Sequence, residues 1–130
     1  MTDADHEPAW DPQDLERFLV ARQQTGDIEG MVALFEVDAI IHAYEGRVVR
    51  GHGQMRAYSR ELASAGRVFV LGEQQPAIVN GDLAMTSTRS RNGSVTAEVA
   101  RRQPDGSWLW VIDQYEIARE GRGARDESST

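Results

Sequence analysis

The stretch RNGSVTAEVARRQPDGSWLWVIDQYEI, residues 91–117, decides the fold of this chain. An Asn-Gly pair precedes the segment 94–102, and an Asp-Gly pair lies between that segment and residues 107–117. Such pairs suit the left-handed backbone of tight turns, so they are strong hairpin signals when β-like segments flank them. The stretch therefore predicts two long antiparallel strands joined by a turn at Pro104–Gly106.

The chain before this hairpin contains further β-like segments. RVFVLGEQQPAIV (67–79) and LAMTSTR (83–89) are separated by an Asn-Gly-Asp turn. Earlier, AIIHAYEG (39–46) predicts a strand that turns at Glu45-Gly46 into the short segment RVVRG. We therefore expect an antiparallel meander in the second half of the chain.

Three segments of the first half predict helices, because their apolar residues recur at spacings of three and four. Asp27 is a good N-cap for the second helix, and Gly66 is a good terminator for the third. The predicted fold is therefore α+β, with three N-terminal helices on one side of a strongly curved antiparallel sheet that forms a cone with an open end. The helical segments are DPQDLERFLVARQQ (11–24), TGDIEGMVALFEVD (25–38) and GHGQMRAYSRELASAG (51–66).

Composition excludes several classes of protein. The chain has 130 residues, enough for one domain, which we place at 11–118 between a mobile acidic segment (1–10) and a mobile tail (119–130). Cysteine and lysine are absent, so thiol chemistry, Schiff bases and a P-loop are excluded. The net charge is −7 without a basic face, which disfavours nucleic acid and membrane partners. No signal peptide or membrane helix is visible, and we expect a cytoplasmic protein.

Four segments resemble the nuclear transport factor 2-like superfamily, and within it the SnoaL-like and ketosteroid-isomerase-like small bacterial proteins. The resemblance runs from about Leu15 to Tyr115 and implies a cystatin-like fold. Because this scaffold hosts isomerases, cyclases, dehydratases and non-catalytic modules, the resemblance does not define an activity. The segments are GDIEGMVALFEVDAIIH, GHGQMRAY, NGDLAM and RRQPDGSWLWVIDQ.

The ketosteroid isomerases provide the sharpest comparison. Aligned with them, Ala43 stands in place of the general-base aspartate, and Leu19 stands in place of the oxyanion-hole tyrosine. Glu98 falls near their second, proton-donating acid. Since two of these three positions are apolar, ketosteroid isomerase chemistry is not carried over.

Asp113 is the main candidate for a working side chain. A three-residue turn would place it on one face of the hairpin with Leu109, Val111 and Tyr115. Val99 and Arg101 of the neighbouring strand share that face, and we take it as the interior. An isolated carboxyl group there would have a raised pKa, as a general acid or base needs. The alternative is an Asp113 that pairs with an arginine such as Arg101 or lies at the open rim.

The opposite face of the hairpin carries Glu98, Trp108, Trp110 and Ile112. Tryptophans on an outward face need covering, so we expect Trp108 and Trp110 to form a homodimer interface and Glu98 to be exposed. A turn of even length would reverse this relation and bring Glu98 inward.

Two hypotheses follow. The first is a small-ligand-binding domain with a hydrophobic pocket, non-catalytic or of unknown activity, and dimeric. The alternative is a cofactor-independent acid/base enzyme acting on a hydrophobic carbonyl compound. Three scattered histidines without cysteine predict no metal site. The candidate catalytic residues are Asp113, His42 and Tyr58, and the candidate pocket residues are Leu19, Ala43, Tyr44, Val99, Val111 and Tyr115.

Overall fold

The computed structural model describes residues 6–119. Within that range the chain forms three α-helices and a mixed sheet of eight strands, which confirms the predicted α+β class. The helices are α1 (Asp14–Gln24), α2 (Ile28–Val32) and α3 (Gly51–Ser64). The strands are β1 (Phe35–His42), β2 (Val48–Arg50), β3 (Glu73–Gln74), β4 (Ile78–Asn80), β5 (Leu83–Thr86), β6 (Thr88–Arg89), β7 (Ser94–Arg102) and β8 (Trp108–Arg119). None of the described helices is both long and apolar enough to cross a membrane.

Local signals place the helices as expected. The Asp27 side chain caps α2 by accepting a hydrogen bond of 2.9 Å from the Gly30 N–H. The α2 helix is nevertheless shorter than predicted, and β1 begins at Phe35 instead of Ala39. The reason is tertiary, because the Trp110 N–H of β8 donates 2.9 Å to the Leu34 carbonyl and draws the chain into the sheet there.

The sheet is mixed, not purely antiparallel as predicted. Its main path runs β2-β1-β8-β7-β5-β4, and β1 lies parallel to β8 while the other pairs are antiparallel. The antiparallel prediction is wrong for β1 because the neighbour of that strand comes from the far end of the chain, where no local turn signal specifies direction.

A β-bulge in β8 controls which side chains face inward. Near the turn, Arg101 pairs with Leu109 and Arg102 with Trp108, as the predicted turn requires. Farther along, the register shifts by one residue, so that Val111 is extra and Ile112 pairs with Val99. Trp108 and Trp110 therefore share the inner face with Asp113, although regular alternation separates them.

The prediction that Trp108 and Trp110 point outward is wrong. Trp110 is 0% exposed and Trp108 is also buried, both in the core, while Leu109 lies on the other face. Arg101 does not approach Asp113; its Nε donates 2.9 Å to Glu36 Oε2 on the outside of the sheet.

Residues 67–72, predicted as part of a strand, form no regular strand and are named here the strap. The Gln23 side chain of α1 donates 2.7 Å to the Arg67 carbonyl and accepts 2.8 Å from the Phe69 N–H. The neighbouring Gln24 side chain donates 2.9 Å to the Phe69 carbonyl. Amide side chains of a helix thus satisfy backbone groups that a neighbouring strand would otherwise satisfy.

The N-terminal segment is anchored where the structure describes it. Ala9 is buried and its carbonyl accepts 2.8 Å from the Trp108 N–H, while Arg22 donates 2.7 Å to the Glu7 carbonyl. Residues 6–10 therefore pack against the domain instead of extending from it. The rest of the predicted mobile segment, and the tail from residue 120, lie outside the described residues.

Candidate functional site

A cavity of about 510 Å³ lies between α1, the strap and the inner face of β7 and β8. This volume falls in the range of small-molecule pockets, about 300–1,000 Å³. Its wall combines carboxyl groups with aromatic and aliphatic side chains. Those that matter most are Glu16, Leu19, Phe69, Glu98, Asp113 and Tyr115.

The structure brings together some of the predicted site residues and separates others. Leu19, Tyr44, Asp113 and Tyr115 line the cavity. Five others do not: His42, Ala43, Tyr58, Val99 and Val111.

The five residues outside the cavity have simple structural reasons. His42 is exposed at the end of β1, and Tyr58 is buried in the core behind Tyr115, with ring centroids 6.4 Å apart. Val99 points to the outer face because it alternates with the buried Glu98 and Ala100, and Val111 is the extra residue of the bulge. Ala43 packs against the core.

Asp113 is 3% exposed and forms no hydrogen bond to any residue within the described range. Burial raises the pKa of its carboxyl group well above the ordinary value, and the neighbouring carboxyl groups of Glu98 and Glu16 raise it further. Burial and the two neighbouring carboxyl groups thus favour the neutral form of Asp113.

Glu98 lies directly opposite Asp113 in the β7–β8 register and is 2% exposed, so the prediction of an exposed glutamate is wrong. Its Oε1 accepts a hydrogen bond of 2.6 Å from Thr86 Oγ1, which itself accepts 3.1 Å from the indole Nε1 of Trp110. The Thr86 hydroxyl group thus accepts a hydrogen bond from the Trp110 indole and donates its own proton in a hydrogen bond to Glu98.

Thr96 supports Glu98 in the same way. Its hydroxyl oxygen accepts 3.0 Å from the Thr88 N–H, and its hydroxyl group hydrogen-bonds the Glu98 carboxylate. Burial raises the pKa of Glu98 to about 6, while these two hydroxyl donors lower it and limit the rise. Of the two facing acids, Glu98 is therefore the one that ionises more readily.

Glu16 is the third acid of the cavity, and sequence reasoning missed it. Burial, and then the charge of Glu98, raise the pKa of Glu16 to about 8. The available signal was helical spacing, because Glu16 precedes Leu19 by three residues and so lies on the same side of α1.

An aromatic wall adjoins the acids. The Tyr115 ring meets Tyr44 edge to face at 5.0 Å and Phe69 edge to face at 6.3 Å. Arg67 of the strap places its guanidinium 4.1 Å from the centroid of the Tyr44 ring. Burial raises the pKa of Tyr115 well above its ordinary value, so its phenol group stays uncharged.

The chemistry available is hydrogen bonding and proton exchange. Within residues 6–119, no group of three or more His, Asp or Glu side chains is arranged to hold a metal ion. One ionisable carboxylate and one neutral carboxylic acid facing each other can accept and donate a proton at the same ligand.

Helices on one side of a curved sheet, enclosing a cavity between them, define the nuclear transport factor 2-like class with its cystatin-like fold. The SnoaL-like domain model matches residues 15–125, and the chain belongs to this family. No curated protein matches the sequence.

Solved structures share the fold at low identity. A function-unknown protein from Mycobacterium tuberculosis is 21% identical, with a TM-score of 0.71 over 85% of this chain and 76% of its own. A nuclear transport factor 2-like protein with a cystatin-like fold from Novosphingobium aromaticivorans is 21% identical, with a TM-score of 0.65 over 88% and 84%. A ketosteroid isomerase-like protein from Erwinia carotovora atroseptica is 12% identical, with a TM-score of 0.64 over 82% and 93%.

Proposed function

We propose that this protein is a small-ligand-binding domain whose cavity takes a largely apolar molecule and addresses its polar group with Asp113. The observation that carries the proposal is a buried carboxyl group that lines the cavity and has no hydrogen-bond partner among the described residues. The carboxyl group reaches the cavity, where it can hydrogen-bond to the polar group of a bound ligand. The aromatic and aliphatic wall suits the apolar part of that ligand.

A carboxyl-carbon NMR titration tests this proposal, with Asp113→Asn to assign the signal. We expect the Asp113 signal to titrate well above the ordinary value of about 3.9, and to move when a ligand from a small-molecule library binds. Asp38→Asn, which removes an exposed acid of β1, is the matched control and should leave both properties unchanged. Titration at or below the ordinary value would place Asp113 in water and contradict the proposal.

A second candidate is a cofactor-independent acid/base enzyme, favoured by the unequal hydrogen bonding of Glu98 and Asp113. In that role, the Glu98 carboxylate removes a proton from carbon beside the carbonyl group of a hydrophobic substrate. Neutral Asp113 donates a hydrogen bond to the carbonyl oxygen and stabilises the enolate, and the proton then returns to carbon. This reverses the expectation from sequence, in which Asp113 moves the proton.

Deuterium exchange at carbon next to the carbonyl group of a model ketone, followed by NMR in D₂O, tests this candidate. Glu98→Gln should slow exchange by about 10²-fold or more, because general bases contribute about that much. Glu73→Gln, at an exposed position, is the control. Equal exchange rates in Glu98→Gln and the unmutated protein would exclude Glu98 as the base.

We also propose a homodimer, now through a different surface from the one predicted. Paired residues of five strands form an apolar row on the outer face of the sheet. In a dimer with a two-fold axis, this row would pack against the same row of the second protomer. The row is Ile78, Met85, Val99, Ile112 and Ile40. A cytoplasmic location and the lack of nucleic acid and membrane partners stay predictions.

A further inference from the structure

We propose that the ligand of this cavity is an organic cation, an ammonium group on an apolar body, bound between the three carboxyl groups and the aromatic wall. The inference rests on the ligand-binding function proposed above and names the chemical class of the ligand.

The first observation is a missing positive charge. Glu16, Glu98 and Asp113 reach one cavity, and among the described residues none of the three pairs with an arginine. Of the arginines that line the cavity, Arg67 lies over the Tyr44 ring and Arg91 is exposed in the loop before β7. The chain has no lysine that could serve instead.

The second observation is independent of the acidic cluster. The Asp113 side chain is only 3% exposed, and it lines the cavity. Its carboxyl group makes no hydrogen bond within residues 6–119. Glu98 already accepts from Thr86 and Thr96, so its hydrogen-bonding capacity is partly used. No residue within 6–119 therefore uses the hydrogen-bonding capacity of Asp113, and a positive charge is the partner that three acids recognise together.

The aromatic wall selects an organic cation over a metal ion. Phe69 and Tyr115 lie beside the acids, and aromatic faces attract ammonium groups and their methyl substituents. A metal ion would use none of these rings, and no metal-binding group of side chains exists within the described range.

The pH dependence of binding separates this proposal from a neutral carbonyl ligand. In the empty cavity, mutual repulsion and burial keep protons on the acids, with the pKa of Glu98 near 6 and that of Glu16 near 8. A cation displaces those protons and so binds more tightly as pH rises. A carbonyl compound depends on the protonated form of Asp113 and so gains no affinity as pH rises. The other charged or titratable groups lining the cavity are Glu45, Glu116, Arg67, Arg91, Tyr44 and Tyr115.

Isothermal titration calorimetry with two probes of similar size, benzyltrimethylammonium and 4-phenyl-2-butanone, tests the inference. The quaternary ion has no proton to lose, so its affinity reports the protein alone. Between about pH 5.5 and 8.5 we expect its affinity to rise, by about tenfold per pH unit wherever one proton is released. Titrations in buffers of different ionisation enthalpy should show that release directly.

Three outcomes have distinct meanings. Binding of the cation that strengthens with pH supports the inference. Binding of the ketone alone, without a gain in affinity as pH rises, overturns the inference but leaves the ligand-binding function standing. Failure of both probes and of a wider library at every pH overturns the proposed function together with the inference.

Variants locate the binding. Asp113→Asn should weaken cation binding by about tenfold or more, as expected for the loss of one close opposite charge in a dry site, whereas Asp38→Asn should not change it. Glu16→Gln, on the helical side of the cavity, is a second variant in case Asp113→Asn fails to fold. It should lower the affinity for the cation but not the affinity for the ketone. Unchanged cation affinity in both cavity variants would overturn the proposed site.

Discussion

Glu98 and Asp113 show how hydrogen bonds distinguish two equally buried acids. Both side chains lie on the inner face in directly paired positions. Glu98 accepts hydrogen bonds from two threonine hydroxyl groups that their other hydrogen bonds orient toward it. Asp113 accepts no hydrogen bond within the described residues. Two interacting acids release their protons in two steps that belong to the pair, and this asymmetry favours Glu98 as the first to ionise.

Thr86→Val tests this network. Loss of the hydroxyl donor should raise the pKa of Glu98 above about 6, and the unpaired Trp110 indole N–H should lower the free energy of unfolding by about 1–3 kcal/mol. Carboxyl-carbon NMR and chemical denaturation measure the two effects. Thr88→Val, the same change at another buried threonine, should not shift Glu98. An unmoved Glu98 titration in Thr86→Val would refute the assigned role.

Stability should fall as pH rises from about 5 to 8. The folded-state pKa values of Glu98 and Glu16, about 6 and about 8, lie above the unfolded value of 4.5. The folded state therefore holds more protons in this window, and the stabilisation present below the unfolded pKa is lost as pH passes through the folded pKa.

For Glu98 the shift is worth on the order of 2 kcal/mol. Glu98→Gln should accordingly flatten the pH dependence of the melting temperature, whereas Glu73→Gln should reproduce the original slope. A melting temperature that increases steadily over this window in the unmutated protein would contradict the raised pKa values.

At the scale of elements, α1 does more than present an apolar face. Gln23 and Gln24 at its C-terminal end hold the strap. Gln13, just before the helix, donates 2.9 Å to the Gln75 carbonyl and accepts 2.8 Å from the Ala77 N–H. The helix therefore positions the whole connection from α3 to β4 that closes one side of the cavity.

Gln23→Ala should loosen the strap without unfolding the domain. The Phe69 amide loses its acceptor, and its hydrogen exchange should accelerate by about tenfold, the equivalent of about 1.4 kcal/mol. Hydrogen exchange read by mass spectrometry over residues 67–72 measures the effect. Gln114→Ala, at an exposed site of β8, is the matched control. Equal exchange in the two variants would show that the strap is held by other contacts.

At the scale of the whole molecule, the outer face of the sheet is unusually apolar. Ile78, Met85 and Ile112 are each at least half exposed, and register pairs connect them through Val99. Directly paired residues point to the same face, so these side chains form one continuous row. Exposed apolar surface of this kind marks an interaction surface.

Ile112→Glu should convert a dimer to a monomer, because the charge would be desolvated in the interface. Sedimentation velocity over a concentration series measures the mass. Val68→Glu, an equally drastic change on the strap, should leave the dimer intact. A concentration-independent monomer in the unmutated protein would rule out the interface.

Trp110→Ala should instead lower the free energy of unfolding by about 3–5 kcal/mol, because that ring is in the core.

Local chemistry explains what could be predicted. The Asp27 cap, the end of α3 near Gly66, and the register of the hairpin turn depend on neighbouring residues, and all three appear as expected. The meeting of Asp113 with Glu98 depends on a one-residue register shift at Val111, which no turn signal specifies. Without that shift, Glu98 would share its face with Trp108 and Trp110 but not with Asp113.

The sequence by itself determined the α+β class, the helices, the turns and the family, since these follow from spacing, capping and turn residues along a continuous chain. Only the tertiary structure decided the parallel pairing of β1 with β8, the inward position of Trp110, and the meeting of Glu16, Glu98 and Asp113. The physical reason is that side-chain alternation in a strand has a period of two. A single bulged residue reverses the faces, and only packing against distant elements determines where the bulge forms.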